Sequence, residues 1–466
     1  MRLMRRVTPA LALGLTALLA TPFAAQAAPG NGSSNGYGNA HTDSYGTKAV
    51  YAPEQNSRSY QQVPAGFTPV FTENVSRHGS RSATDSSDGD LILALLDKAQ
   101  AEGQLTAKGR EFGPKAQALE AAMSTVGYGD LSARGKEEIH DTAVRMAKRL
   151  PTLFASIAKN KEPIDVVSSG QGRAVDSANL YGAALAQTDP GLTSLIGTTR
   201  TDKDLLYFHK ADGGAAYRDY IANDKRLAAT LKAVTDQPKT HRAARDVLKK
   251  LFKPAFVDRI TAGEFSSIGT DVEAATAVYN LYAIAPAMSE ESPGGKGWGM
   301  DRYISAADAD WFGYISDAED FYEKGPGFAD SDITYKMANV LLDDFFKKAE
   351  AKRDGTSDLG AELRFTHAEE IIPLAALMGL PGSTKGVTTA KPYTYGSNPW
   401  RGAAVAPLGS NIQWDVFRKG NTYLVRMLYN EKETAFKAGC RPVSKGSKFY
   451  DLNELERCFG RTGSND

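Results

Sequence analysis

The chain has 466 residues, and its 55 Lys and Arg balance 55 Asp and Glu, so the formal net charge is zero. That balance excludes a global field drawing the protein to nucleic acid or to an anionic membrane, and any anion site must gather its positive charge locally. With 42% hydrophobic and 24% charged residues, the composition is that of a folded globular protein long enough for more than one domain.

The first 27 residues read as a signal peptide. Arg2, Arg5 and Arg6 precede an apolar run from Ala10 to about Ala20, and Ala25-Gln26-Ala27 is a small-residue cleavage site. The adjacent Arg5-Arg6 leaves the twin-arginine route open beside the general one. No later stretch has the ~18 uninterrupted apolar residues of a membrane helix. The expectation is a secreted protein, extracellular or periplasmic, without a membrane partner. In such an oxidising compartment Cys440 and Cys458, the two cysteines of the chain, can form one disulfide closing a short C-terminal loop. Residues 28–62 are rich in Gly, Ser, Asn and Tyr without apolar periodicity, and they read as a flexible leader. Folded structure is expected from near Phe67.

Val70 to Val75 then has the pattern of a strand and runs directly into Arg77-His78-Gly79-Ser80-Arg81. Leu105-Thr106-Ala107-Lys108-Gly109 and Leu131-Ser132-Ala133-Arg134-Gly135 resemble each other and read as helix starts. A second strand, Ile164 to Val167, ends in Ser168-Ser169-Gly170-Gln171-Gly172-Arg173 and precedes a helical stretch from Ala174 to about Ala186. Further helices are expected at Thr240 to Phe252, Val272 to Met288 and Asp332 to Ala349. A third strand, Leu363 to Thr366, ends at His367, before a helix from Ala368 to Met378 that contains Pro373.

These elements predict an α/β fold: a central, mostly parallel sheet flanked by helices, with a mainly helical cap inserted between its two parts. The predicted boundaries are 63–205 for the N-terminal part of the core, 206–358 for the cap and 359–466 for the C-terminal part. In such sheets, sites form beyond the carboxyl ends of strands, where helix N-termini favour anions. The three strand–loop–helix passages would therefore bring Arg77, His78, Arg81, Arg173, His367 and Glu369 to one end of one sheet.

That set suits phosphoryl transfer, in which the protein mostly positions the group and stabilises charge spread over its equatorial oxygens. Arginine offers a permanent, planar fork of donors to those oxygens. A neutral imidazole can attack phosphorus in line, which casts His78 as nucleophile. A carboxylic acid can protonate the leaving alkoxide, which casts Glu369 in that role. Glu370 is one residue on and points elsewhere at helical spacing.

The sequence has no zinc-type His/Cys cluster and no phosphate-binding Gly-x-x-x-x-Gly-Lys loop, so no metal or other cofactor is expected. His41, His140, His209 and His241 are scattered and read as ordinary, His209 being the foremost exception. The basic stretch from Lys239 to Lys253 reads as a solvated helix face. The sequon Asn74-Val75-Ser76 lies within the first strand, where a glycan would block folding, and none is expected.

Arg77-His78-Gly79-Ser80-Arg81 resembles the signature of the histidine phosphatase superfamily, in its histidine acid phosphatase branch. His367-Ala368-Glu369 stands where many members of that branch have a His-Asp pair, and it resembles the multiple inositol polyphosphate phosphatase group. Leu131 to Glu138, Glu319-Asp320-Phe321-Tyr322, Leu374 to Leu380 and Tyr429-Asn430-Glu431 add to that likeness, which runs from about Phe67 to Cys458. The resemblance implies a phosphohistidine on His78 and phosphate held by Arg77, Arg81, Arg173 and His367. It also implies Glu369 as proton donor, no metal, and inositol phosphates, including phytate, as small-molecule substrates; a monomer is the expectation, though the sequence itself does not give the oligomeric state. Sugar phosphates and other monoesters remain as alternative substrates. A phosphomutase is disfavoured by export, and a catalytically dead polyanion binder would need neither His78 nor Glu369.

Overall fold

A computed structural model describes residues 43–461; the expected signal peptide and the start of the leader lie outside this range. Eight strands form one sheet: β1 (Thr68–Arg77), β2 (Ile164–Ser168), β3 (Arg200–Thr201), β4 (Ala361–Thr366), β5 (Asn411–Lys419), β6 (Thr422–Tyr429), β7 (Lys432–Thr434) and β8 (Phe449–Asp451). Their order is β3-β2-β4-β1-β5-β6-β7, with β8 also pairing with β6. From β3 to β1 neighbouring strands are parallel. From β1 onward the pairings are antiparallel. The mixed α/β architecture with a helix-flanked sheet is thus present.

The strand order positions the site. β4 lies between β1 and β2, with Arg77 in register with Thr366 and Ser168 with Phe365. The three loops that follow these strands therefore leave the same edge of the sheet side by side. β1 and β4 are buried along nearly their whole lengths, as interior parallel strands are. Arg364, fully buried in β4, is held by Glu73 at 2.9 Å and Asp344 at 2.6 Å, the pairing that a charge at this depth requires.

Helices Ala133–Arg149, Pro151–Asn160 and Gly172–Thr188 pack Ile139, Met146, Leu153 and Tyr181 with Ile164, Leu363 and Phe365 of the sheet. On another side Phe345 and Phe346 of helix Asn339–Arg353 and Ile371 of helix Ala368–Leu377 cluster with Val75 and Trp414. Every named element between β3 and β4 is helical. A further apolar core joins helices from both sides of residue 206: Ile92 and Leu96 of Ser87–Ala101 and Phe112 of Ala107–Val126 pack with Leu248 of Pro238–Leu251 and Val278 of Asp271–Ile284.

Local signals act as read. Thr106 and Ser132 cap their helices by accepting from the backbone N–H groups of Gly109 and Gly135. Helix Ala368–Leu377 runs through Pro373. Asn74 is buried, with its side chain bonded to Ser76 Oγ and to the backbone N–H of Arg364. Cys440 and Cys458 form a disulfide, with Cα atoms 5.2 Å apart. Among the described residues no helix is long and apolar enough to cross a membrane.

One expectation is corrected. Residues 43–51 and Tyr60 are packed against the core rather than belonging to a flexible leader, while most of 52–62 is exposed. Asp43–Lys48 is a 3-10 helix, and Ala49, Tyr51 and Tyr60 are buried. The Tyr51 hydroxyl donates to Glu431 and accepts from Asn411, both at 2.9 Å. Aromatic anchors and hydrogen bonds hold this segment, so apolar periodicity is no guide to its order.

Candidate active site

Arg77 closes β1 and is fixed at both ends. Its backbone N–H donates to Ser410 O at 2.8 Å, and its guanidinium Nη1 donates to Thr47 O at 2.5 Å and Ala406 O at 2.7 Å. His78 follows, its N–H donating to Thr366 O of β4 and its carbonyl accepting from Gly409, both at 2.9 Å. The imidazole Nδ1 lies 2.9 Å from Gly79 O. A carbonyl oxygen only accepts, so Nδ1 carries the proton and Nε2 keeps its lone pair. Burial, followed by the fields of Arg77, His367, Arg81 and Arg173, holds His78 well below the usual histidine range. The ring is thus neutral and its Nε2 unprotonated.

Gly79 and Gly135 are needed for close approach. A Cβ on Gly79 would collide with Gly135 O, and one on Gly135 with Ser80 O. The motif loop therefore lies directly on the first turn of helix Ala133–Arg149.

Arg173 stands in the first turn of helix Gly172–Thr188, and His367 caps helix Ala368–Leu377. The His78 and His367 rings are 5.4 Å apart. His367 Nε2 lies 2.8 Å from Ser169 Oγ, which leaves Nδ1 on the other side of the ring. Burial and Arg173 lower His367 to about 3, so it too is neutral. Arg77 and Arg81 are each lowered to about 10, first by burial, with Arg173 adding to the effect on both, so the three guanidiniums crowd one volume.

These groups share an unmet demand. Arg77 Nε, Arg81 Nε, Arg173 Nε and His367 Nδ1 are buried without a hydrogen-bond partner among the described residues. A buried donor left unpaired costs on the order of 1–3 kcal/mol. Four of them beside a buried neutral imidazole are groups with which a tetrahedral anion can pair.

Glu369 lies in the first turn after His367 and is half-buried, while its neighbour Glu370 is fully buried. Burial alone would raise Glu369, but Lys324, His209 and His367 reverse that and bring it to about 2. Glu370 turns away, as its spacing predicts: its carboxylate holds His209 Nδ1 at 2.6 Å and the Thr366 hydroxyl at 2.9 Å. His209 is thus a structural partner of the site loop, with Tyr207 packed between its ring and that of His367.

Sequence reasoning missed several participants. Lys324, at the end of helix Ala306–Glu323, bonds Asp320 at 2.6 Å and acts on Glu369. Ser169 orients His367, and Thr47 orients Arg77. The first two are single polar residues in ordinary patterns, and Thr47 acts through its backbone, so none carries a sequence signal. His140 pairs with Asp141, and His241 with Asp236 and Asp271, away from these groups; His41 lies outside the described residues. The basic stretch is partly engaged locally, with Arg245 on Asp258 and Lys239 over the ring of Trp311. Among the described residues no group of three or more His, Cys, Asp or Glu side chains is placed to hold a metal ion.

Comparison with known proteins fits this geometry. The family model described as histidine phosphatase superfamily (branch 2) matches residues 71–430. Multiple inositol polyphosphate phosphatase 1 of Gallus gallus is 22% identical over 416 residues, spanning 85% of this chain and 84% of that protein. The Bifidobacterium longum multiple inositol polyphosphate phosphatase in complex with phosphate superposes with a TM-score of 0.85 at 32% identity, covering 90% of this chain and 97% of that one. Its complex with inositol hexasulfate gives a TM-score of 0.84 at 32% identity over the same shares.

Proposed function

The chain belongs to branch 2 of the histidine phosphatase superfamily, and from that premise we propose that it is a secreted phosphomonoesterase that hydrolyses inositol polyphosphates, phytate among them, through a phosphohistidine on His78. The observation that carries this reading is the ring of four unpartnered buried donors around a neutral imidazole whose Nε2 is free.

In the proposed reaction the scissile phosphate lies among Arg77, Arg81, Arg173 and His367 Nδ1–H, which supply charge and direction. His78 Nε2 attacks phosphorus, the bond to the inositol oxygen breaks, and Glu369 gives that oxygen its proton. A water then attacks the phosphohistidine. Glu369 takes a proton from it, phosphate leaves, and the starting state is restored.

The low proton affinity of Glu369 comes from the cationic groups around it, Lys324 foremost. A phosphate dianion bound beside it opposes the field of Lys324, and it draws a proton onto the carboxylate as substrate arrives. The helices of 206–358, with Lys324 at the site, fit the role of a cap over the rest of a polyanionic substrate. The inositol reading is further supported by the two Bifidobacterium longum complexes.

A substrate panel with product isomer analysis tests the substrate class. The expected result is a kcat/KM for inositol hexakisphosphate at least about tenfold above that for hexose phosphates, a difference of ~1.4 kcal/mol in transition-state binding. Equal or better turnover of hexose phosphates would overturn the inositol assignment and leave a general phosphatase.

A further inference from the structure

We infer that Glu138 is a positioning residue for the motif loop, holding Ser80 so that His78 and Arg81 on either side of it converge on one phosphate. The inference rests on the phosphatase reading of the site.

Ser80 is the fourth residue of Arg77-His78-Gly79-Ser80-Arg81 and is fully buried. Both of its donors end on one carboxylate: the backbone N–H lies 2.8 Å from Glu138 Oε2 and the hydroxyl 2.9 Å from Oε1. Its carbonyl accepts from Ser132 N–H at 3.0 Å, at the cap of the same helix that carries Glu138. Oε1 also accepts from Tyr51 N–H at 3.3 Å, which ties the packed N-terminal segment to the same carboxylate. All hydrogen-bonding groups of Ser80 are thus committed to residues 132–138.

The consequence is geometric. His78 is fixed to the sheet through Thr366 and Gly409, but Arg81 lies beyond the loop. Among the described residues its only side-chain hydrogen bond is Nη1 to Ser82 O at 2.7 Å, and Ser82 is itself anchored, its N–H donating to Asp130 O at 3.1 Å and its hydroxyl to Gly127 O at 2.5 Å. Arg81 is thus held on its far side by Ser82 and on the side facing His78 by Ser80, whose N–H and hydroxyl both rest on Glu138. Glycines 79 and 135 let the loop touch the helix, while the carboxylate sets its register along that surface. Bonds from backbone and hydroxyl donors to a charged acceptor are among the stronger ones in a fold.

Burial pushes Glu138 up to about 7, against the lowering effect of these bonds. When protonated, the carboxyl can still accept the Ser80 N–H while donating to a turned Ser80 hydroxyl, so the clamp survives in acid. Glutamine keeps an acceptor for Ser80 N–H and a donor towards a turned Ser80 hydroxyl, giving up only the 3.3 Å contact with Tyr51 N–H, and should preserve the clamp on Ser80.

The test uses the full chain and single-turnover kinetics with p-nitrophenyl phosphate, alongside thermal melting and the competitive inhibition constant of inorganic phosphate. E138A is expected to slow phosphorylation of His78 by about 30-fold or more, within the range that displacement on the scale of 1 Å produces. It should also weaken phosphate inhibition, while E138Q stays within about fivefold of the unaltered enzyme on both readouts. E137A, changing an exposed neighbour, should alter neither. E138A that melts lower but phosphorylates within about twofold of the unaltered enzyme would assign Glu138 a purely structural role and overturn the inference. Should E138A not fold, E138D takes its place, because it withdraws the carboxylate by one methylene, and normal phosphorylation in E138D would likewise overturn it. If the unaltered chain shows no phosphomonoesterase activity, the functional reading itself fails, an outcome distinct from either.

Discussion

Ser169 Oγ lies 2.8 Å from His367 Nε2, and that contact links the ends of β2 and β4 across the proposed phosphate site. With the hydroxyl donating, Nε2 is the acceptor and the His367 proton is placed on Nδ1, the nitrogen without a protein partner. Ser169 thus leaves His367 Nδ1–H as a donor towards the proposed phosphate site. Ser169→Ala frees the ring to take the other tautomer. The expected outcome is a fall of about tenfold in kcat/KM, with weaker inhibition by inorganic phosphate, consistent with ~1–2 kcal/mol for the bond lost. Steady-state kinetics that match the unaltered enzyme would show that the tautomer is set elsewhere.

Lys324 is the largest of the charges that lower Glu369. Removing it lets burial raise that carboxyl. A general acid works in its protonated form, so activity declines as pH rises through its pKa, and a higher pKa carries the decline to higher pH. Lys324→Met should therefore move the alkaline limb of kcat, which reports the substrate complex, upward by about one pH unit, whatever it does to substrate affinity. A limb that stays in place would move the proton-donor role away from Glu369.

His367 is held neutral down to about pH 3 in the folded chain, whereas an unfolded histidine titrates near ~6.5. Between those values the unfolded state binds more protons at this site. Its contribution to stability is complete above about pH 6.5 and declines as pH falls, by ~1.4 kcal/mol per pH unit until about pH 3. Urea denaturation without substrate should show that slope disappearing in His367→Asn, with the two curves parallel above about pH 7. Parallel curves through the acid range would mean that the imidazole is not buried as described.

The segment 43–51 reaches the site through Thr47 O, which accepts from Arg77 Nη1 at 2.5 Å, and through Tyr51 N–H on Glu138. Deleting these residues should lower kcat/KM by at least about tenfold, the equivalent of one lost charge-assisted hydrogen bond. A leader that only spaces the domain from the membrane or the export machinery would leave kinetics unchanged.

The residues of the proposed site were legible because each follows a short β-rich run: Arg77-His78 after Val75, Arg173 after the run ending at Val167, and His367 after Phe365. Strand ends are local signals, and the arrangement of β1, β4 and β2 turns three of them into one place. The rest was not local. The antiparallel strands beyond β5 are joined by pairings that their own periodicity does not specify. The packed segment 43–51, with Tyr60, is held by backbone carbonyls and two tyrosines, and Gly- and Ser-rich composition conceals such anchoring. Glu431, at positive φ beside Asn430, drew notice only by family likeness. Its carboxylate grips Arg145 and Tyr51, a role visible only once the distant segments are brought together.

The central claim is that His78 carries the phosphoryl group, and rapid quenching under alkaline conditions with 32P-labelled inositol hexakisphosphate tests it most directly. Label is expected on one histidine per chain, mapped to His78 by peptide analysis, formed before steady state and absent from His78→Ala, which should lose nearly all turnover. Undiminished hydrolysis by His78→Ala, or label on any other residue, would contradict the mechanism.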